Sequence, residues 1–404
     1  MTKIQKTTLV VSAIVVLAAA VVLGIFLWKE NHDDKAGQQD SDLTLAGVDQ
    51  PGTEEDKNGD DTSGDGAEGP KPDGQGEPNG SGQDEPAVLP EPTITDVSLV
   101  FTGDVMLGNT VLGNYDSKGL NGILSEYLQN EMQTADITMI NQEFPFSTRG
   151  TAMPNKTYTF RVDPSYVKVF QEMGVDIVSL ANNHALDFGT DALEDSFVTL
   201  DTAGIPYVGA GDSKERAERA IFMERGGRKV GYLSASRVIP VVSWNIENNQ
   251  PGLFCTYDST ALTAAIRRTK EQCDYLVVYV HWGIERQDHP EQYQRTLAQA
   301  YIDAGADLVV GSHPHVPQGI EYYKGKPIVY SLGNFIFNPN MVKTYMLKVI
   351  WDTAGESRLI VIPVVTASAL TRNLSGQEAQ EMYQYLQGIS YGVTIDGNGL
   401  VTQK

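Results

Sequence analysis

Six apolar runs in this sequence end on side chains that offer nitrogen or oxygen to a ligand. VSLVFTGD ends at Asp104, ITMINQE at Asn141 and Glu143, and DIVSLANNH at Asn183 and His184. YLVVYVH ends at His281, DLVVGSHPH at His313 and His315, and IVYSLGN at Asn334. Ligands of layered α/β folds gather beyond the carboxyl ends of the strands, so residues that close separate runs are expected to converge on one patch. Imidazole, carboxylate and carboxamide donors in one place suit a borderline divalent ion such as Zn, Mn or Fe.

Each of these residues has a plainer reading when taken alone. An aspartate after a strand, such as Asp104, caps turns and helices, and Asn334 could do the same in SLGNF. Glu143 before FPFS could be solvated, and His281 after an apolar run could be a satisfied core histidine. The coincidence at five run ends is what favours a shared metal site. His313 and His315 are two apart, which in an extended segment points both to one face, with Pro314 stiffening the backbone between them.

The elements that must hold these residues read as an α/β domain beginning at Val97, in which short β-rich runs alternate with amphipathic stretches. Helices are predicted over Leu120–Asn130, Pro164–Glu172 with Asp163 as N-cap, Asp191–Ala203, Thr260–Gln272 and Pro290–Ala304. AIFMERGGRKVGYLSA reads as a hairpin turning at Gly226 and Gly227, and GIEYYKGKPIVYSLG as one turning near Lys324 and Gly325. YMLKVIWD and SRLIVIPVVT read as a closing antiparallel pair, followed by a helix around Ser375–Gln387 and a strand near Val393.

The first 96 residues are of another kind. Thr7 to Trp28 carry no charge over 22 residues, enough as a helix at ~1.5 Å per residue to cross a hydrocarbon layer of ~30 Å. Lys3 and Lys6 precede this run and acidic residues come after it, which places the amino terminus in the cytoplasm and the rest outside. A cleaved signal peptide ending near Ala18–Ala20 is the alternative to an uncleaved anchor over residues 1–29. Residues 30–96 hold 19 acidic side chains against three lysines and few large apolar ones, the composition of a disordered, self-repelling linker.

The formal net charge of the whole chain is −22, which argues against nucleic acid as a partner. Cys255 and Cys273 flank a predicted helix whose ends lie ~20 Å apart, beyond the ~7 Å that a disulfide spans. They read as ordinary buried residues.

FTGDVMLG, NQEFPFS, SLANNHALDFG, VVYVHWGIE, GSHPHVPQGIE and YSLGNFIF, in this order over residues 101–337, resemble the CapA family of capsule synthesis proteins, implicated in poly-γ-glutamate production. That family is in turn similar to the calcineurin-like metallophosphoesterases. The resemblance implies a four-layered α/β/β/α sandwich over residues 97–404 around one or two divalent ions. It implies Asp104, Glu143 and His315 as ligands of one ion, with Met106 standing where a histidine ligand would be. Glu143, as the bridging carboxylate, together with Asn183, His281 and His313 would hold the other, and His184 would face the substrate as the catalytic residue.

In function, the resemblance implies an extracellular, membrane-anchored accessory of capsule or poly-γ-glutamate synthesis or export, working beside a polyglutamate synthase on an anionic polymer. The alternatives are a metal-dependent hydrolase of a phosphoester or an amide of an envelope polymer, and a non-catalytic structural protein.

Overall fold

Strands buried on both faces must be apolar at nearly every position, and alternate side chains then serve two different cores. In the computed structural model, which describes residues 93–337 and 341–404, the Val97–Val105 strand shows this directly. Leu99 and Phe101 enter a cluster shared with a second sheet, whereas Val100 enters a cluster shared with helices. The facing Tyr275–His281 strand mirrors the division: Val277 and Tyr279 point to the shared cluster, Leu276, Val278 and Val280 to a third cluster with other helices.

The molecule is a sheet-dominated mixed α/β fold. Among the described residues the larger sheet has ten strands. Its centre is a parallel run of Val97–Val105, Ile137–Gln142, Ile177–Ser179 and Tyr207–Val208. On the other side of Val97–Val105 lies the antiparallel pair Met341–Trp351 and Ser357–Ala367. A six-stranded sheet has Leu308–Ser312 at its centre, parallel to Tyr275–His281 and Lys326–Leu332, with a hairpin at each edge. Helices Glu126–Gln133, Val167–Met173 and Thr190–Ala203 pack on the first sheet, and Thr260–Lys270 and Gln292–Ala304 on the second.

Register then aligns the carboxyl ends. Asp104 lies opposite Asn141 in the first sheet, and Ser312 opposite His281 in the second. The sheets touch where the chain changes sheet: Lys326–Leu332 belongs to the second, and after Gly333 the short strand Asn334–Ile336 pairs with Val97–Val105 of the first. Thr344 holds the crossing, its Oγ1 donating to the carbonyls of Leu332 and Asn334 at 2.7 and 2.9 Å. Asp104 N donates to Gly333 O at 3.0 Å. This approach is possible because residue 103 has no side chain, for a Cβ there would lie 1.7 Å from Gly333 O.

Both expected hairpins, the closing antiparallel pair and the helices following Thr190, Thr260 and Gly376 are present. Asp163 accepts from Ser165 N as the expected cap. Four elements differ, and the helix expected over Pro164–Glu172 is a 3₁₀ turn at Pro164–Tyr166 that runs into the helix Val167–Met173. The helix expected over Leu120–Asn130 is a 3₁₀ turn at Gly119–Gly122 and a separate helix, Glu126–Gln133, because Leu124 bridges to Thr371 between them. Asn109–Lys118 is helical where no element was expected. The helix expected from Pro290 begins at Gln292, where Glu291 and Gln294 form a capping box.

Cys255 and Cys273 are both free. Among the described residues no helix is long and apolar enough to cross a membrane. The expected anchor, and the linker up to residue 92, lie outside the described residues.

Gly103→Ala should cost roughly 3 kcal/mol in urea unfolding, since backbone cannot move aside as a flexible side chain does. An unchanged midpoint would show that the sheets do not depend on this contact.

Candidate metal centre

Asp104 closes the first strand with its carboxylate wholly buried. Asn141 Nδ2 donates to its Oδ1 at 2.8 Å, and His315 Nδ1 lies 3.4 Å from its Oδ2. Glu143 follows the neighbouring strand and is tied by its own N–H to Val105 O at 2.9 Å. Its side chain is 0 % exposed, and neither Oε1 nor Oε2 has a hydrogen-bond partner. A buried carboxylate without a partner carries a desolvation penalty of several kcal/mol in typical cases. His281 Nε2, 3.6 Å away, faces it.

The remaining donors come from three further strand ends. Asn183 Oδ1 lies 2.7 Å from His281 Nε2, and the His281 and His313 rings are 4.7 Å apart. His313 Nδ1, like the two Glu143 oxygens, is buried without a partner. His315 Nδ1 is 2.7 Å from Asn334 Oδ1. Two groups could each hold an ion: Glu143, His281 and His313, and Asp104, Glu143 and His315, with the donor atoms of each within 4.8 Å of one another. Glu143 belongs to both. Every residue expected at the metal site is therefore in one place, Asn183 included.

Surrounding side chains orient these donors. Ser312 Oγ lies 3.0 Å from His281 Nδ1 and Asn183 Oδ1 2.7 Å from its Nε2, so both ring nitrogens are held and Nε2 faces the other donors. Asn141 Oδ1 accepts from Asn182 Nδ2 at 3.1 Å, and Asn182 Oδ1 accepts from His184 N at 3.0 Å. Asn182 thus fixes the turn that presents Asn183. Met106, where the resemblance implied a missing histidine, is buried in the apolar cluster beneath the helices and offers no nitrogen.

One geometric expectation is overturned. His313 and His315 do not share a face of an extended segment: their φ angles are +100° and +59°, and the segment after Ser312 is a bend. Non-glycine residues in that region store roughly 1–3 kcal/mol of strain apiece. The bend still brings the rings to 5.8 Å.

The family described as bacterial capsule synthesis protein PGA_cap matches residues 98–339. The chain belongs to this family. The PGA biosynthesis protein CapA of Bacillus subtilis (strain 168) is 32% identical over 250 residues, covering 61% of this chain and 65% of the relative. The capsule biosynthesis protein CapA of Bacillus anthracis is 30% identical over 258 residues, 61% of each. The match thus spans less than two thirds of the length of either relative. Among solved structures, a hypothetical protein from Thermus thermophilus is similar, with a TM-score of 0.41 and 17% identity, covering 67% of this chain and 98% of that one.

His184 lies beside the donors, on the Asn183 turn. Its Nδ1 is 2.7 Å from Asp187 Oδ2, its ring centroid is 4.5 Å from that of Phe160, and Lys156 Nζ is 3.0 Å from the same nitrogen. Sequence reasoning missed Lys156, Phe160 and Ser312 altogether. Asp187 was visible inside SLANNHALDFG but had no assigned part, because it follows His184 by three positions in a turn rather than a helix. Lys156 stands in the polar stretch PNKTYTF, where a lysine is usually solvated.

The electrostatics follow from burial. Desolvation, with Asp104 beside it, holds the Glu143 carboxyl well above the usual carboxylate range. Desolvation and the neighbouring imidazoles push His281 well below the ordinary histidine value, and His313 down to about 3. Burial alone would lower His315 too, but Asp104 and Glu143 carry it up to about 10. Without a cation, then, the Glu143 carboxyl is best accommodated protonated. Its contribution to stability is present at low pH and is lost as pH rises through its raised pKa.

Glu143→Gln should therefore leave the metal-free melting temperature at neutral pH unchanged or higher, and flatten its decline with pH. In the natural protein Mn²⁺ or Zn²⁺ at a hundredfold excess over Kd should raise melting by roughly 5 °C, a rise the variant should lack. Differential scanning calorimetry reads both, and an equal metal-induced shift in the two proteins would remove Glu143 from the ligand set.

Proposed function

We propose that this chain is a membrane-anchored, extracellular accessory of capsule or poly-γ-glutamate synthesis or export, with a divalent-metal centre at the carboxyl ends of its strands. The proposed organisation is an anchor over residues 1–29, an acidic linker over 30–96 and a domain over 97–404. The fold of that domain is read as a four-layered α/β/β/α sandwich of calcineurin-like metallophosphatase type. Helix-side clusters on the outer face of each sheet, with a shared cluster between the sheets, support that reading.

The observation that carries the metal centre is the Glu143 carboxylate, wholly buried with both oxygens unpartnered and facing three histidines. The ligands we assign are Asp104, Glu143, Asn183, His281, His313 and His315, a nitrogen and oxygen set that suits Mn, Zn or Fe. When bound, such an ion supplies Lewis acidity and a water acidified toward neutral pH. Ser312 and Asn334 orient His281 and His315, and Asn141 holds Asp104, so this chain's own residues fix the donors before any ligand arrives.

The proposed ligand is an anionic polymer, in keeping with the name of the Bacillus subtilis relative, a PGA biosynthesis protein. A chain of net charge −22 repels a polyanion. A metal centre supplies the local positive charge that the side chains lack. A second reading, hydrolysis of a phosphoester or an amide of an envelope polymer, is favoured by the His184–Asp187 contact, which holds an imidazole beside the donors.

Binding of poly-γ-glutamate to the purified protein, followed by isothermal titration calorimetry, should disappear on chelation and return with Mn²⁺ or Zn²⁺. Binding of equal strength to metal-free protein would contradict the metal-mediated reading. For the hydrolase reading, His184→Ala should abolish turnover of a model phosphodiester while leaving the metal content intact.

A further inference from the structure

Residues 150–160 contain no regular helix or strand, yet they are bound tightly to the turn that carries Asn183 and His184. Met153 N donates to Asp187 O at 2.8 Å and Phe160 N to Asp187 Oδ2 at 2.7 Å. The Gly150 backbone passes so near the turn that a Cβ there would lie 2.0 Å from Phe188 O. Between these contacts Lys156 turns inward, its side chain 13% exposed, against the fully buried Asp187. Its ammonium donates to Asn183 O and to Asp187 Oδ1.

These contacts bear on which way the imidazole is used. Two groups meet His184 Nδ1: Asp187 Oδ2 at 2.7 Å and Lys156 Nζ at 3.0 Å. A carboxylate oxygen at that distance requires a proton on Nδ1, because two lone pairs would otherwise face each other. Lys156 has other acceptors, Asn183 O and Asp187 Oδ1, and has no need of Nδ1. Its charge also offsets that of Asp187, which would otherwise be buried with only a neutral ring and the Phe160 N–H for company.

We propose that Lys156 is a positioning residue. By clamping Asp187 and the Asn183 carbonyl, it holds His184 with Nδ1–H on Asp187 and the bare Nε2 lone pair available to a ligand of the centre. This rests on the reading of His184 as the residue that faces the substrate. The strap over 150–160 is then part of the site, and Lys156 acts on a bound ligand through His184 rather than by touching it.

The test uses the metal-free full-length protein with ¹⁵N-labelled histidine and long-range ¹H–¹⁵N spectra, the His184 signals being identified by their loss in His184→Ala. The natural protein and Lys156→Arg should show one tautomer protonated at Nδ1, and Lys156→Met a mixture of the two. A Lys156→Met pattern identical to that of the natural protein overturns the proposal. Should Lys156→Met fail to fold, Lys156→Gln takes its place: it removes the ammonium while keeping a polar side chain, and a His184 pattern identical to that of the natural protein overturns the proposal as well.

Where the protein turns over a model phosphodiester, Lys156→Met should lower kcat tenfold or more with KM and metal stoichiometry unchanged. Turnover that is absent in every form, beside the expected spectra, sinks the hydrolase reading and leaves the positioning role supported.

Discussion

A carboxylate that is fully out of water with neither oxygen hydrogen-bonded is among the least favourable groups a folded protein can carry, and Glu143 is such a group. Its neighbours do not relieve it. His281 and His313 are themselves held neutral by burial, and the positive charge nearest in kind, on His315, is shared with Asp104. The arrangement makes physical sense in the metal centre proposed above: four strand ends and a strained bend converge on a carboxyl that a proton or a cation must neutralise.

Bringing those donors together determines much of the fold around them. Parallel register puts Asp104 beside Asn141 and Ser312 beside His281, and the crossing at Gly333 draws the two sheets together on the side where the donors lie. The positive φ angles of His313 and His315 occur at this same place. Local strain, a missing Cβ at residue 103 and an unpartnered buried carboxyl are each unfavourable taken alone. They occur together because the same few ångströms must hold six donors from two sheets.

Much of this was legible in the residues. Apolar runs ending on donor residues are visible because strands buried on both faces leave polar residues only at their ends, and Asp104, Glu143, Asn183, His281, His313 and His315 were all named on that ground or by resemblance. Hairpins at Gly226 and Lys324 were legible from turn chemistry. The route by which the last two histidines meet was not: spacing suggested an extended segment, and tertiary packing imposed a bend. Lys156 and Ser312 were invisible because their partners lie 27 to 31 residues or more away, and a lone lysine or serine in sequence carries no sign of what it will touch. The break in the helix near Leu124 has the same origin, a bridge to Thr371 that local propensity cannot foresee.

The most direct measurement is anomalous diffraction, at the absorption edge of manganese or zinc, from crystals of the protein soaked in that metal. A peak is expected at bonding distance, about 2.0–2.2 Å, from a Glu143 carboxylate oxygen and from nitrogens of His281 and His313. Soaked crystals with no peak there, in which Glu143 is instead satisfied by water or by a rearranged side chain, would contradict the metal centre.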